Sequence, residues 1–269
     1  MTKDIAVRLK EVEIGLLKAF IEVCDNNHLQ YYLVEGTCLG AIRHHGFIPW
    51  DDDIDVALPR ADYNIFLKIA QRELPSYYFL QTIDTDPEYI ANFAKIRDCR
   101  TTFIESSVKS RKINHGVYID IFPLDNAPEH HAALFKMKDL LYVARISAEF
   151  DSLPSAKMKI LQLFSKVLLP DLKNAVKKRD KHMQSVKNSR FFTNFCSAYG
   201  SKEIMLRENY GKGTTVIFEG LDVLVPQNYD NYLSSLYGDY MTPPPVEKRI
   251  GHHSAEIIDL DKPYFEYKN

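Results

Sequence analysis

Four carboxylates crowd into five positions at the start of an apolar run, in Trp50-Asp51-Asp52-Asp53-Ile54-Asp55-Val56. Like charges this close raise one another's pKa or require a cation, and a hard divalent ion with oxygen ligands answers that need. Read as a strand over residues 51 to 58, the segment places Asp51, Asp53 and Asp55 on one face. Asp52 then points the other way, as a surface or structural residue, and Ile54 and Val56 alternate into the buried face. Taken alone, the run reads equally well as a solvated acidic turn.

The rest of the chain narrows the choice. Its 269 residues suffice for one large domain or two small ones, and a net charge of -2 carries no sign of a nucleic-acid binder. Cys24, Cys38, Cys99 and Cys196 are scattered without a C-x-x-C pair, which argues against a disulfide framework and a cysteine zinc site. The N-terminus has no apolar signal core and no stretch is long and apolar enough to span a membrane, so a cytoplasmic location is expected.

Hydrophobic periodicity predicts a helix over residues 4 to 28, with Ile5, Leu9, Val12, Leu16, Phe20, Val23 and Cys24 spaced by three and four. A strand at 31 to 34, a short helix at 39 to 45 and another helix at 60 to 74 follow. Residues 77 to 122 read as short strands, 129 to 210 as mostly helical. The segment 214 to 225 reads as two strands turning at Glu219-Gly220, followed by a helix at 229 to 236. The expected fold is therefore α/β (α+β): a catalytic core over 1–125, a helical subdomain over 126–210, and a return segment over 211–269 that packs back on the core.

Three pieces of the core suit phosphate chemistry. Gly36-Thr37 lies between a strand and a helix, where backbone N–H groups at a helix N-terminus can cradle a phosphate. Asp53-x-Asp55 follows on the next strand. Asp120 stands among isoleucines on a later strand, where an unpartnered buried carboxylate would cost several kcal/mol. Together they suit metal-assisted transfer of a phosphate group, with Mg²⁺ (or Mn²⁺) held by carboxylates. The third carboxylate either completes the metal site or takes the proton of an attacking hydroxyl.

The blocks Glu35-Gly36-Thr37-Cys38-Leu39-Gly40, Gly46-Phe47-Ile48-Pro49-Trp50-Asp51-Asp52-Asp53-Ile54-Asp55 and His115 through Asp125 resemble the LicD family of phosphocholine transferases, related to fukutin-type ribitol-phosphate transferases. Tyr237-Gly238-Asp239-Tyr240-Met241 with Pro243-Pro244, Lys248-Arg249 and His252-His253 extends the likeness to about residue 255. The resemblance implies a nucleotidyltransferase-type mixed sheet with flanking helices. It also implies a CDP-activated donor, usually CDP-choline, whose phospho-alcohol passes to a sugar hydroxyl of a cell-surface glycan or lipid-linked oligosaccharide, releasing CMP. The metal carboxylates of that pattern fall on Asp53, Asp55 and Asp120, and Asp120 or Asp51 is the candidate base. Teichoic acid or lipopolysaccharide precursors are the implied acceptors, which puts the enzyme at the inner face of the membrane.

Other residues are candidates on chemistry alone. Lys95 and Arg97 alternate in a strand and could aim at phosphates from one face, or be merely exposed. Lys248, Arg249, His252 and His253 gather cations and imidazoles after a stiff proline run and could clamp the pyrophosphate or nucleotide. A choline head would call for aromatic faces; Tyr31, Tyr32, Trp50, Tyr118 and Phe122 lie near the motifs and the sequence does not choose among them. Between residues 157 and 190, ten lysines and arginines face only Asp171 and Asp180, around the apolar stretch at 160 to 169. This stretch fits docking on an anionic membrane, or a solvated bundle face over a core.

Transfer of another CDP-alcohol (glycerol or ribitol phosphate) or of a nucleotide would use the same apparatus. A DxD glycosyltransferase would explain Asp53-x-Asp55 without requiring Asp120. A non-catalytic nucleotide-binding regulator is the remaining alternative.

Overall fold

In the computed structural model, which describes residues 3–130, 132–151, 154–249 and 255–267, the opening helix α1 runs Lys3–Asn26. Leu9, Leu16, Phe20, Val23 and Cys24 form its buried stripe, as their spacing requires. Next come β1 (Tyr32–Leu33), α2 (Glu35–His44), β2 (Asp55–Pro59) and α3 (Arg60–Glu73). Strands β3 (Tyr78–Gln81), β4 (Ala94–Asp98), β5 (Thr102–Glu105) and β6 (Val117–Asn126) complete the core.

Helices α4 (Ala132–Ser147), α5 (Ala156–Leu168) and α6 (Leu172–Met183) follow. The expected helical stretch stops there. Instead of continuing to residue 210, the chain returns as β7 (Phe191–Thr193), β8 (Met205–Leu206) and the short α7 (Arg207–Tyr210). The physical reason is visible in the aromatic pair Phe191-Phe192, which suits a pleated surface and places Phe192 edge-on against Tyr210. The remaining elements are β9 (Thr214–Phe218), β10 (Leu221–Val225), α8 (Tyr229–Tyr237) and β11 (Ala255–Asp259).

The main sheet has the order β1-β2-β6-β4-β3, with β7 on the far end of β6 and β8 beside β7. The β2–β6 pair is parallel, whereas β1–β2, β3–β4 and β4–β6 are antiparallel, so the sheet is mixed as expected. Helix α1 packs on β4 and β6, and α3 on β2, β3 and β6. β9 and β10 form a separate hairpin whose Glu219 and Gly220 both have positive φ, the requirement of a tight two-residue turn. Glu219 reaches back into the core: its N–H donates to His45 O at 3.0 Å, and its Oε1 accepts from Phe47 N–H at 3.0 Å. The return segment is thereby tied to the loop that carries the acidic run.

A carboxylate cluster at the head of the sheet

The acidic run is not a strand from its start. Asp51 N–H donates to Ile48 O at 2.9 Å, closing a turn, and ladder pairing begins only at Asp55. Three consecutive aspartates carry low strand propensity and strong mutual repulsion, so the backbone turns rather than extends. The strand parity expected for Asp51, Asp52 and Asp53 is therefore corrected: all three sit in the loop, with carboxylate oxygens that lie within 4.8 Å of one another. Asp52, expected to point away, belongs to this trio.

Asp55 and Asp120 meet by strand register. They are Cα partners on the parallel pair β2–β6, and Lys95 is the partner of Asp120 on β4. The row is fixed by main-chain bonds: Val34 N–H donates to Asp55 O at 3.0 Å, and Asp120 N–H to Ile54 O at 2.9 Å. Asp55 is buried and held well above the usual carboxylate range, by burial first and then by Asp53, Glu35, Asp120 and Asp51. The strongest charge acting on it is therefore Asp53, which links the loop trio to the strand pair.

Lys95 Nζ lies 2.9 Å from Asp120 Oδ1 and 3.4 Å from Glu105 Oε1, and sits 3.3 Å above the centre of the Tyr118 ring. Arg97 shares that face, as alternation demands, but it is fully buried. Its guanidinium is taken by Gln81 Oε1 at 2.6 Å, Gly116 O at 2.8 Å and Glu105 Oε2 at 2.9 Å. The expectation that Arg97 reaches a phosphate is corrected: it is a buried scaffold residue that holds Glu105. Burial alone would raise Glu105, but Lys95, Arg97 and the Tyr118 hydroxyl outweigh it and hold the carboxylate at about 2.

Gly36 and Thr37 lie one turn earlier than expected, inside the start of α2. A Cβ at Gly36 would come 2.8 Å from Asp51 Oδ2, so glycine is what lets that carboxylate approach the helix N-terminus. Helix-start amides favour an anion, and Asp51 is the anion placed there. Thr37 Oγ1 accepts the Asp55 N–H at 2.8 Å, so the hydroxyl sets where β2 begins.

Two acids that the sequence did not single out join the cluster. Glu35 starts α2 with φ of 48°, a left-handed conformation that a non-glycine residue adopts at a cost. Its Oε1 accepts from Asn194 Nδ2 at 3.2 Å. Burial lifts Glu35 to about 7, against the pull of Ser197 and Asn194 and with a further push from Asp120. Glu13 on α1 is raised well above its ordinary value, by burial first and then by Asp53 and Asp52. Its Oε2 has no hydrogen-bond partner among the described residues. Glu13 reads as one acid on an amphipathic helix, and Glu35 opens the first resemblance block without being read as a member of the acidic site. Only the fold brings them to the aspartates.

The donor set is made of hard oxygens, with no histidine or cysteine among them, and Glu13 Oε2 is a buried carboxylate oxygen without a hydrogen-bond partner among the described residues. That chemistry fits Mg²⁺ or Mn²⁺ and not a thiophilic metal.

The C-terminal candidates divide. Arg249 stacks over Trp50, with the guanidinium carbon 5.1 Å from the ring centre, next door to Asp51. Lys248 is exposed at the end of a short 3₁₀ turn. His252 and His253 lie outside the described residues. His44 and His45 close α2, with His45 at φ of 57°. Of the five aromatics near the motifs, Trp50 is half-buried, while Tyr31, Tyr32, Tyr118 and Phe122 are buried. Asp125, at the end of the third block, is held by Arg60 at 2.5 and 2.7 Å, and Arg60 also reaches Asp180 at 3.0 Å. That end of the block ties β6 to α6.

The family model for the LicD/FKTN/FKRP nucleotidyltransferase domain matches residues 28–163, which span β1 through most of α5. The chain is 31% identical over 258 residues to the lipopolysaccharide cholinephosphotransferase LicD of Haemophilus influenzae, covering 92% of this chain and 95% of that protein. An uncharacterized protein of Rickettsia prowazekii is 32% identical over 116 residues, 43% of this chain and 40% of its own length. On the family match and this near full-length likeness, the chain belongs to the LicD family.

Proposed function

We propose that the protein transfers phosphocholine from CDP-choline to a sugar hydroxyl of a cell-surface glycan precursor and releases CMP. The likeness to a lipopolysaccharide cholinephosphotransferase over nearly the whole chain supports the transferred group and the class of acceptor. The observation that carries the reading is the in-register pair Asp55 and Asp120 with Asp53 acting on Asp55. A glycosyltransferase DxD motif would account for Asp53 and Asp55 but would leave Asp120 on the next strand without a role.

Asp53, Asp55 and Asp120 are the residues that would hold Mg²⁺. When bound, the ion would neutralise phosphoryl oxygens and stabilise the departing nucleotide. In the transfer, the acceptor oxygen forms a bond to the phosphorus that carries choline, and the bond from that phosphorus to the CMP oxygen breaks. The hydroxyl proton passes to a carboxylate. Asp51 and Asp120 are the candidates for this role; Lys95 engages Asp120 at 2.9 Å and weakens it as a base. Lys95 fixes the Asp120 carboxylate, and Glu105 with the Tyr118 ring fixes Lys95.

The test is a donor panel. The protein is incubated with Mg²⁺ and acceptor glycan and with CDP-choline, CDP-glycerol or CDP-ribitol, and CMP is measured. CMP release with CDP-choline, together with choline phosphate on the glycan, is the expected result. Turnover of CDP-glycerol or CDP-ribitol alone would reassign the alcohol, and pyrophosphate release from CTP would overturn the transfer reading.

A further inference from the structure

Helix α5 is built inside out. Its apolar residues Ile160, Leu163, Phe164 and Val167, spaced three and four apart, are 71%, 69%, 58% and 78% exposed. Its buried residues are Gln162 and Ser165. These polar groups are satisfied inward: Gln162 Nε2 donates to Ser147 Oγ at 3.2 Å, and Ser165 Oγ donates to Gln162 O at 2.8 Å. A surface helix ordinarily turns such a stripe to the core, and a contiguous exposed stripe of large apolar side chains marks an interaction surface. Leu134, Met137 and Leu140 of α4, on which α5 packs, are exposed as well.

The charges around the stripe select its partner. Lys157, Lys159 and Lys166 are exposed on the same helix, which carries no acid. Exposed Lys136, Lys138, Lys173 and Lys178 add to this on the neighbouring helices. A second copy of this chain would bring like charges together at the rim, which opposes self-association. An apolar helix face framed by lysines suits insertion at the boundary of an anionic bilayer. Among the described residues no helix is long and apolar enough to cross a membrane, so such contact would be peripheral.

We infer that the outward face of α5 docks the protein on an anionic lipid surface. Phe150, between α4 and α5, lines with Lys95 and Glu105 a cavity of about 100 Å³. Docking would thus bring the bilayer surface to the same unit of the fold that holds the Lys95–Glu105 pair. The inference does not rest on which group the enzyme transfers.

The test is co-sedimentation of the full chain with phosphatidylcholine vesicles, with and without phosphatidylglycerol, at low and high salt. The wild type is expected to sediment with the anionic vesicles and to remain in solution with phosphatidylcholine alone. Leu163→Glu with Val167→Glu is expected to lower the bound fraction at least about tenfold, because charged groups replace the inserting side chains. Unchanged cooperative thermal unfolding serves as the control for folding. Should that variant fail to fold, Lys157→Gln with Lys159→Gln keeps the apolar stripe and is expected to weaken low-salt binding several-fold. Absence of wild-type binding to anionic vesicles, or binding untouched by the foldable variants, would overturn the inference. So would a dimer in gel filtration that the α5 substitutions abolish, because the stripe would then be an interface between copies.

Discussion

Asp55 and Asp120 stand side by side as register partners on the parallel strands β2 and β6, and Lys95 answers Asp120 from β4. Two acids fixed at neighbouring positions of a sheet centre repel each other in a dry setting. The fold holds them there through main-chain bonds that neither side chain can relax. This is the pattern of a site whose stability is sacrificed for ligand binding.

The first prediction follows from that repulsion. Asp55→Asn should lower transfer by at least about 10³-fold, because a carboxylate that would hold the Mg²⁺ against the phosphates is lost. In the presence of chelator the same substitution should leave stability unchanged or raise it by roughly 1–2 kcal/mol, because one buried like charge is removed. Thermal unfolding with EDTA and with Mg²⁺ checks this. The wild type should gain stability from Mg²⁺, and the variant should gain much less.

Glu105 predicts a pH dependence. It sits at about 2 when folded against an ordinary value of 4.5. A carboxylate depressed by its partners contributes stability above its unfolded value and loses it as pH falls through the folded one. Its share is roughly 3 kcal/mol from the size of that shift. The difference in unfolding free energy between wild type and Glu105→Gln should therefore be full at pH 6 to 7, and should shrink as pH falls from about 4.5 toward 2. Urea titrations at several pH values measure it. A difference that grows on acidification would contradict the Lys95–Glu105–Arg97 account.

Gly36 predicts a steric effect confined to the site. A Cβ there would meet Asp51 Oδ2 at 2.8 Å, so Gly36→Ala must push that carboxylate away. Activity should fall about 10–100-fold, while stability should change by no more than about 1 kcal/mol, as for a helical Gly→Ala change. A double-mutant cycle with Asp51→Gly tests the coupling: the two substitutions together should cost less than the sum of each alone.

Much of this arrangement is legible in the chain. The α1 stripe, the hairpin turning at Glu219-Gly220, helix α8 and the short strands of the core follow from local spacing and turn chemistry. The neighbours Asp55 and Asp120 follow from their strands, once those strands are known to pair. What the sequence hides is non-local or depends on backbone shape. Strand parity misplaces Asp52 because it presumes an extended chain where Asp51 closes a turn onto Ile48. Arg97 reads as a twin of Lys95, yet Gln81, Gly116 and Glu105 consume it inside the sheet. Glu13 carries no mark, and Glu35 only its place in the first resemblance block, until α1 and α2 bring them beside the aspartates. The outward face of α5 is legible only as one of two readings, since an amphipathic pattern gives the stripe but not the side on which the core lies.

The central claim, that the paired carboxylates at the head of the sheet run a cation-dependent phosphocholine transfer, is tested most directly by CMP release from CDP-choline with acceptor glycan. The rate is measured for wild type and Asp120→Asn, with Mg²⁺ and with excess chelator. The account predicts turnover by wild type that chelator abolishes and Mg²⁺ restores, and a loss of at least about 10³-fold in Asp120→Asn. Turnover that persists in chelator, or that Asp120→Asn leaves intact, would contradict it.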